Sequence, residues 1–309
     1  MPRPARFVVR LHQAGMAFPE LAAVWREADA LGYDGASLFD LIAAPCLECW
    51  TALTALTTLT QRLIAVPLVL ANDYRHPAVL AKMAATLDAL SGGRLVLGLG
   101  AGGSREDYMA TGLPWRPLPE RLARLEEAVR AMRFLWSGRE GEVSGPFYGH
   151  IRGPGWPPPA RPAGPPVLIG GHGRRYLLRT VARAADICNV GFDLPPQEWE
   201  EVRSLLASYC REEGRDPAAV ALGHNATVVL GESRQEVASA LARLGLHPEA
   251  VRQRMPWALV GTPQECLDRL ERYLAVGVSW FFLLFPELPA DARSLRLFAS
   301  AVLPALGTV

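Results

Sequence analysis

Pro77-Ala78-Val79-Leu80-Ala81-Lys82-Met83-Ala84-Ala85-Thr86-Leu87-Asp88-Ala89-Leu90, then Ser91-Gly92-Gly93, then Arg94-Leu95-Val96-Leu97-Gly98-Leu99-Gly100-Ala101-Gly102-Gly103, is the stretch whose reading decides the fold. Pro77 stands in the first turn of a helix, where its missing N–H costs nothing. Leu80, Met83, Ala84, Leu87 and Leu90 share one helical face, and Gly92-Gly93 stop the helix. A short apolar run follows and ends in glycines. A helix, a tight stop and an apolar strand running into a glycine loop form one unit of a parallel α/β sheet.

The same rhythm extends in both directions. Strands are expected at 6–11, 34–39, 63–70, 94–100, 167–170, 186–190, 227–230 and 278–285. The helices that follow them are expected at 19–31, 48–60, 77–90, 120–136, 174–184, 196–213, 235–244 and 291–306. Ser233 with Glu236, and Thr262 with Glu265, have the spacing of capping boxes. Eight strand–helix units predict a (β/α)8 barrel formed by residues 1–309 as one domain; a doubly wound open sheet is the other arrangement of this alternation. Two segments interrupt the rhythm. One lies after strand four, where 138–166 is rich in Pro and Gly and contains Pro157-Pro158-Pro159, which suits no helix. The other lies between strands seven and eight, where there is one helix more than a unit needs. On the C-terminal side of barrel strands, such excursions either cover a site or merely connect surfaces.

Composition narrows the function. Net charge is +1, so nothing favours nucleic acid or an anionic membrane as a partner. The longest strongly apolar run, 278–285, is too short to span a bilayer. The five cysteines, an odd number with no apolar leader before them, suggest a reducing cytoplasmic setting. Cys46-Leu47-Glu48-Cys49 is a CxxC, but no second pair completes a zinc site and no metal is expected. Lys82 is the only lysine, so a Schiff base would have to form there.

In a barrel, the C-terminal strand ends form the active face. They carry Gln13, Asp40, Asn72 with Tyr74, then Gly98 to Gly103, Gly170-Gly171-His172-Gly173, and Asn189. The two glycine loops suggest phosphate, because each lets backbone N–H groups approach an anion, and Arg174 adds a possible partner. Asp40, Asn72 and His76 are the catalytic candidates. Gln13 and Tyr74 are expected to meet substrate, while Trp50, Leu53 and Leu56 read as core.

Several stretches together resemble the luciferase-like monooxygenase family: Trp50 to Leu56, Thr60-Gln61-Arg62, Tyr74 to Asp88, Ser91 to Arg94, Gly98 to Gly102, Arg121 to Trp136 and Ile169 to Asp186. The subgroup most resembled uses the deazaflavin coenzyme F420, and close relatives use FMN. The resemblance implies a homodimeric barrel with the ring at the strand ends near Asp40 and Asn72. It implies a phosphate tail against Gly100, Ala101, Gly102 and Gly103 and against Gly170, Gly171, His172, Gly173 and Arg174. It also implies a bulge in strand three, with a non-proline cis peptide near Leu68-Val69 supporting the ring. The family's Ser-Asp-His turn reads Phe39-Asp40-Leu41 here, so Leu41 replaces the histidine used by sugar-phosphate- and alcohol-oxidising relatives. The expected activity is hydride transfer between F420 (or FMN) and a small organic substrate. The alternatives are a two-component FMN monooxygenase and a non-catalytic flavin-binding barrel.

Overall fold

The computed structural model describes residues 5–307. The chain runs β1 (Arg6–Arg10), α1 (Phe18–Leu31), β2 (Gly35–Leu38), α2 (Cys49–Thr58), β3 (Ile64–Pro67), β4 (Leu70–Ala71), α3 (Pro77–Leu90), β5 (Leu97–Gly100), α4 (Arg105–Thr111), α5 (Leu118–Trp136), β6 (Gly141–Gly145) and β7 (Gly149–Gly153). It continues with β8 (Val167–Gly171), α6 (Arg175–Ala184), β9 (Ile187–Val190), α7 (Pro196–Glu212), β10 (Ala221–Leu230), α8 (Arg234–Arg243), α9 (Pro248–Arg254), β11 (Leu259–Gly261), α10 (Pro263–Ala275), β12 (Val278–Leu284) and α11 (Arg293–Leu297).

The main sheet has the order β3-β2-β1-β12-β10-β9-β8-β5-β4, with parallel pairing throughout. A parallel bridge between Ala65 and Leu95 brings the two edges together. Counting β3 and β4 as halves of one strand, this is the expected eight-stranded barrel, nearly closed. Residues along the strands point alternately inward and outward. Val8, Val66, Leu68, Val96, Leu168, Ile187 and Phe282 fill the interior. Their neighbours, among them Phe7, Val9, Leu97, Ile169 and Phe281, pack outward against the helices. Lys82 is exposed on α3 in that outer ring.

Both excursions fall where the sequence places them, with more structure than expected. The segment after strand four contains a hairpin, β6 with β7, whose turn closes at Gly149 in the left-handed backbone that glycine adopts freely. Glu127 of α5 anchors it by accepting from Phe147 N and Tyr148 N. Between strands seven and eight, α9 and β11 join the expected helix, and β11 extends the sheet along the far half of β10. The Thr262 capping box is complete. Ser233 caps Glu236 N, but the Glu236 carboxylate returns to Glu232 N rather than to Ser233.

Strand seven begins six residues before its expected start, because the polar Gly223-His224-Asn225 segment is buried. His224 is fully enclosed, stacked on Tyr273 at 4.1 Å and accepting the Trp199 indole N–H at 3.0 Å. Burial pushes its pKa down to about 3. Below its ordinary value of 6.5 the unfolded chain takes up a proton that the folded chain refuses. Stability from this group is therefore complete above pH 6.5 and falls by about 1.4 kcal/mol per pH unit toward pH 3. His224→Gln is expected to flatten the dependence of the urea midpoint on pH between 6 and 4. An unchanged slope would show that other groups govern acid unfolding.

Candidate active site

Seven of the eight strands deliver residues to one cavity of about 540 Å³ at their C-terminal ends. Arg10 comes from β1, Phe39, Asp40 and Leu41 from the end of β2, and Leu68, Val69 and Ala71 from the broken third strand. The loops after β5 and β8 supply Gly100 to Ser104 and Gly170 to Gly173, and Asn189, Phe192 and Asn225 close the far wall. Leu118, Leu122 and Leu177 line the cavity from the helices.

The Leu68-Val69 peptide is cis, at the position the resemblance implies. Val69 turns its side chain between neighbouring strands, and that explains several glycines. A Cβ on Gly98 would stand 2.0 Å from the Pro67 carbonyl oxygen; on Gly100, 2.7 Å from Val69 Cγ2; on Gly170, 2.9 Å from Val69 Cγ1. These three glycines make room for the bulge of the third strand. Gly103 and Gly173 have open space or ordinary contact where a Cβ would be, and they remain free to approach a ligand. The glycine runs thus combine two requirements that a sequence cannot separate.

Asp40 lies at the mouth with its carboxylate almost sealed from solvent. It accepts from Ala71 N at 3.0 Å, and Arg75 forks onto it at 2.8 and 3.0 Å. Arg75 also pairs with Glu48, which caps α2 by accepting from Trp50 N and Thr51 N. Burial alone would raise the Glu48 carboxyl, but these amide donors and Arg75 outweigh it and hold the pKa below the ordinary range. Arg75 is a residue that sequence reasoning passed over; its place between Tyr74 and His76 was the available signal.

The other candidates separate. Tyr74 lines the cavity, and burial together with nearby Asp107 raises its phenol pKa well above the ordinary value. His172 lines it too, on the β8 loop. Gln13 is fully buried and clamps the end of β2, donating to Phe39 O and accepting from Phe39 N. Asn72 donates to the Tyr148 hydroxyl at 2.8 Å, outside the cavity wall. His76 caps α3 by accepting from Ala78 N and lines a second hollow between α3 and the hairpin, together with Lys82, His150 and Trp156. Arg174 pairs with Glu198 and Glu201 of α7 instead of turning toward the glycine loop. On the other glycine loop, after β5, Arg121 donates to the carbonyls of Ala101 and Gly102 and lies 4.1 Å over the Trp115 ring.

Trp50, Leu53 and Leu56 belong to the core. The five cysteines are unpaired, and the Cys46 and Cys49 thiols donate to the Leu41 and Leu38 carbonyls. Among the described residues no His, Cys, Asp and Glu side chains gather as a metal site, and no helix is long and apolar enough to cross a membrane.

Comparison with known proteins gives this geometry a family. The phthiodiolone/phenolphthiodiolone dimycocerosates ketoreductase of Mycobacterium tuberculosis (strain H37Rv) is 32% identical over 305 residues, covering 83% of this chain and 78% of that protein. Its counterpart from Mycobacterium sp. (strain JLS) is 34% identical over 200 residues, 63% of this chain, and the match spans about half (51%) of that relative's length. Among solved structures, an F420-dependent secondary alcohol dehydrogenase in complex with an F420-acetone adduct superposes with a TM-score of 0.81 at 18% identity, covering 98% of this chain and 99% of that one. The oxygenating constituent of 3,6-diketocamphane monooxygenase from Pseudomonas putida, in complex with FMN, gives 0.78 at 16% identity over 97% and 98%. The family model for luciferase-like monooxygenases matches residues 3–258, and the chain belongs to that family.

Proposed function

We propose that the cavity binds a deazaflavin of the coenzyme F420 type, and that the enzyme moves a hydride between it and a small organic carbonyl or alcohol. The observation that carries this reading is the wall itself: the Leu68-Val69 peptide, the open glycines Gly103 and Gly173, and the side chains of Leu118, Leu122 and Leu177 line one cavity. Such a wall fits a flat conjugated ring, since apolar side chains cover its faces while backbone groups approach its edges. Beyond it, α6 opens without a side-chain cap, and its amides suit the phosphate end. When bound, the ring supplies the two-electron chemistry, and the protein supplies position and electrostatics.

The chain's own residues divide that work. Asp40, held by Arg75 and Ala71 N, keeps the loop after β2 in register with the third strand. The leucines exclude water. Tyr74 keeps its proton on Oη, beside the Asp107 carboxylate that holds it, and its hydroxyl oxygen remains to accept from a substrate hydroxyl. The ketoreductase relatives support a carbonyl substrate, although Leu41 removes the histidine of the alcohol-oxidising pattern.

The same wall fits FMN, and an FMN-bound monooxygenase of this fold supports the second reading, in which reduced flavin and oxygen are consumed. Titration of the protein with F420 and with FMN, followed by quenching of tryptophan fluorescence, tests both. Tighter binding of F420 is expected, with turnover independent of oxygen. Binding of FMN alone, with oxygen-dependent turnover, would transfer the assignment to the monooxygenase. Binding of neither would overturn the cofactor reading altogether.

A further inference from the structure

Arg10 ends β1 inside the barrel mouth, and among the described residues no protein group accepts a hydrogen bond from its guanidinium. Its Nε and Nη1 are fully buried without a partner. The central carbon of the guanidinium lies over the Phe39 ring at 4.5 Å and over the Phe192 ring at 4.8 Å from their centres. Contact with aromatic rings satisfies none of the N–H donors, which lie in the guanidinium plane and still need an acceptor. The nearby carboxylate, Asp193, is engaged elsewhere, accepting from Thr227 N and Thr227 Oγ1 at 3.0 Å each. Burial lowers the Arg10 pKa to about 10, which still leaves it charged at neutral pH.

A second unpartnered atom lies on the same wall. Asn225 donates to Asn189 Oδ1 and Gly191 O, which fixes its amide orientation and leaves its own Oδ1 buried and unbonded. Asn225, Asp193 and Phe192 form one unit, because Asp193 N donates to Asn225 O at 2.9 Å. A buried cation without an acceptor and a buried acceptor without a donor are both costly, and native proteins keep such groups where a ligand completes them.

Building on the cavity reading above, we infer that Arg10 anchors a carboxylate on the substrate, with Asn225 Oδ1 accepting from a hydroxyl or N–H of the same molecule. The substrate class is therefore a small oxo or hydroxy acid rather than a neutral ketone. The planar carboxylate matches the fork of a guanidinium whose Nε and Nη1 have no partner in the protein. Phe39, Phe192 and Leu41 would surround its apolar part.

The test compares phenylpyruvate with phenylacetone, which lacks the carboxylate, as ligands of the wild type, Arg10→Met and Arg10→Lys. Binding is followed by tryptophan quenching with and without F420. In the wild type the acid is expected to bind at least tenfold more tightly than the ketone. Arg10→Met should remove that preference, keep F420 affinity within about threefold, and melt no lower than the wild type. Arg10→Lys should retain part of the preference. Equal binding of acid and ketone by the wild type overturns the inference. So does a loss of F420 affinity in Arg10→Met with the acid preference intact, because Arg10 would then serve the ring. Because the acid is also titrated without F420, failure of the cofactor reading and failure of this one are seen separately.

Discussion

Arg75→Met is expected to destabilise the protein by about 3–5 kcal/mol, as the loss of one partner from a buried ion pair does. The Asp40 carboxylate is 1% exposed and the Arg75 side chain 13%, so water cannot replace the guanidinium. Methionine preserves much of the packing and isolates the electrostatic loss. The Ala71 N–H would remain as a donor to Asp40, and the more exposed Glu48 would suffer less. Asp40→Asn added to Arg75→Met is expected to recover most of the loss, because it removes the stranded charge. Urea unfolding of the two single variants and the double variant checks this; a single-variant loss below about 1 kcal/mol would show that the pair is not what holds the mouth together.

Gly98→Ala is expected to be comparably damaging for a different reason. The new Cβ would meet the Pro67 carbonyl oxygen at 2.0 Å and Val69 Cγ1 at 3.4 Å. The first obstacle is backbone of the adjoining strand, so it cannot swing aside as the end of a side chain can. A loss of about 3 kcal/mol, with weakened ring binding through displacement of Leu68-Val69, is the expected result. Gly103→Ala provides the contrast. Its Cβ would enter open space, so the melting temperature should hold while affinity for the cofactor falls. If Gly98→Ala binds and melts like the wild type, strands three and four move apart at this contact without cost.

Much of the barrel was legible because each unit states its own boundaries. Residues 77–90 form α3 with the predicted limits, since Pro77 and the Gly92-Gly93 stop act locally. The hairpin over β6 and β7 was not legible: its strands are five residues each, largely exposed, and free of the apolar alternation that marks a strand. The candidate site was legible to the level of the loops. Leu68-Val69 came from family resemblance alone, because no local pattern announces a bulge. The residues outside the loops were harder. Gln13, Asn72 and Arg174 all sit near the mouth, yet Gln13 and Asn72 turn to Phe39 and Tyr148, and Arg174 to Glu198 and Glu201. Arg10 was overlooked because an arginine closing Arg6-Phe7-Val8-Val9-Arg10 reads as the polar edge of a strand, and only the fold shows it enclosed by Phe39 and Phe192.

Lys82 gives the molecule an experimental handle that few chains of this length offer. With arginine at every other basic side-chain position, apart from six histidines, an amine-reactive dye has one side chain to modify, on the outer face of α3. That side chain borders the hollow shared with His150, Arg152 and Trp156 of the excursion after strand four. Trp156 is 69% exposed there and can quench a dye held nearby. Labelling this side chain would therefore convert the hollow into an optical gauge of the distance between α3 and the segment that follows the hairpin, readable during turnover and without any engineered cysteine.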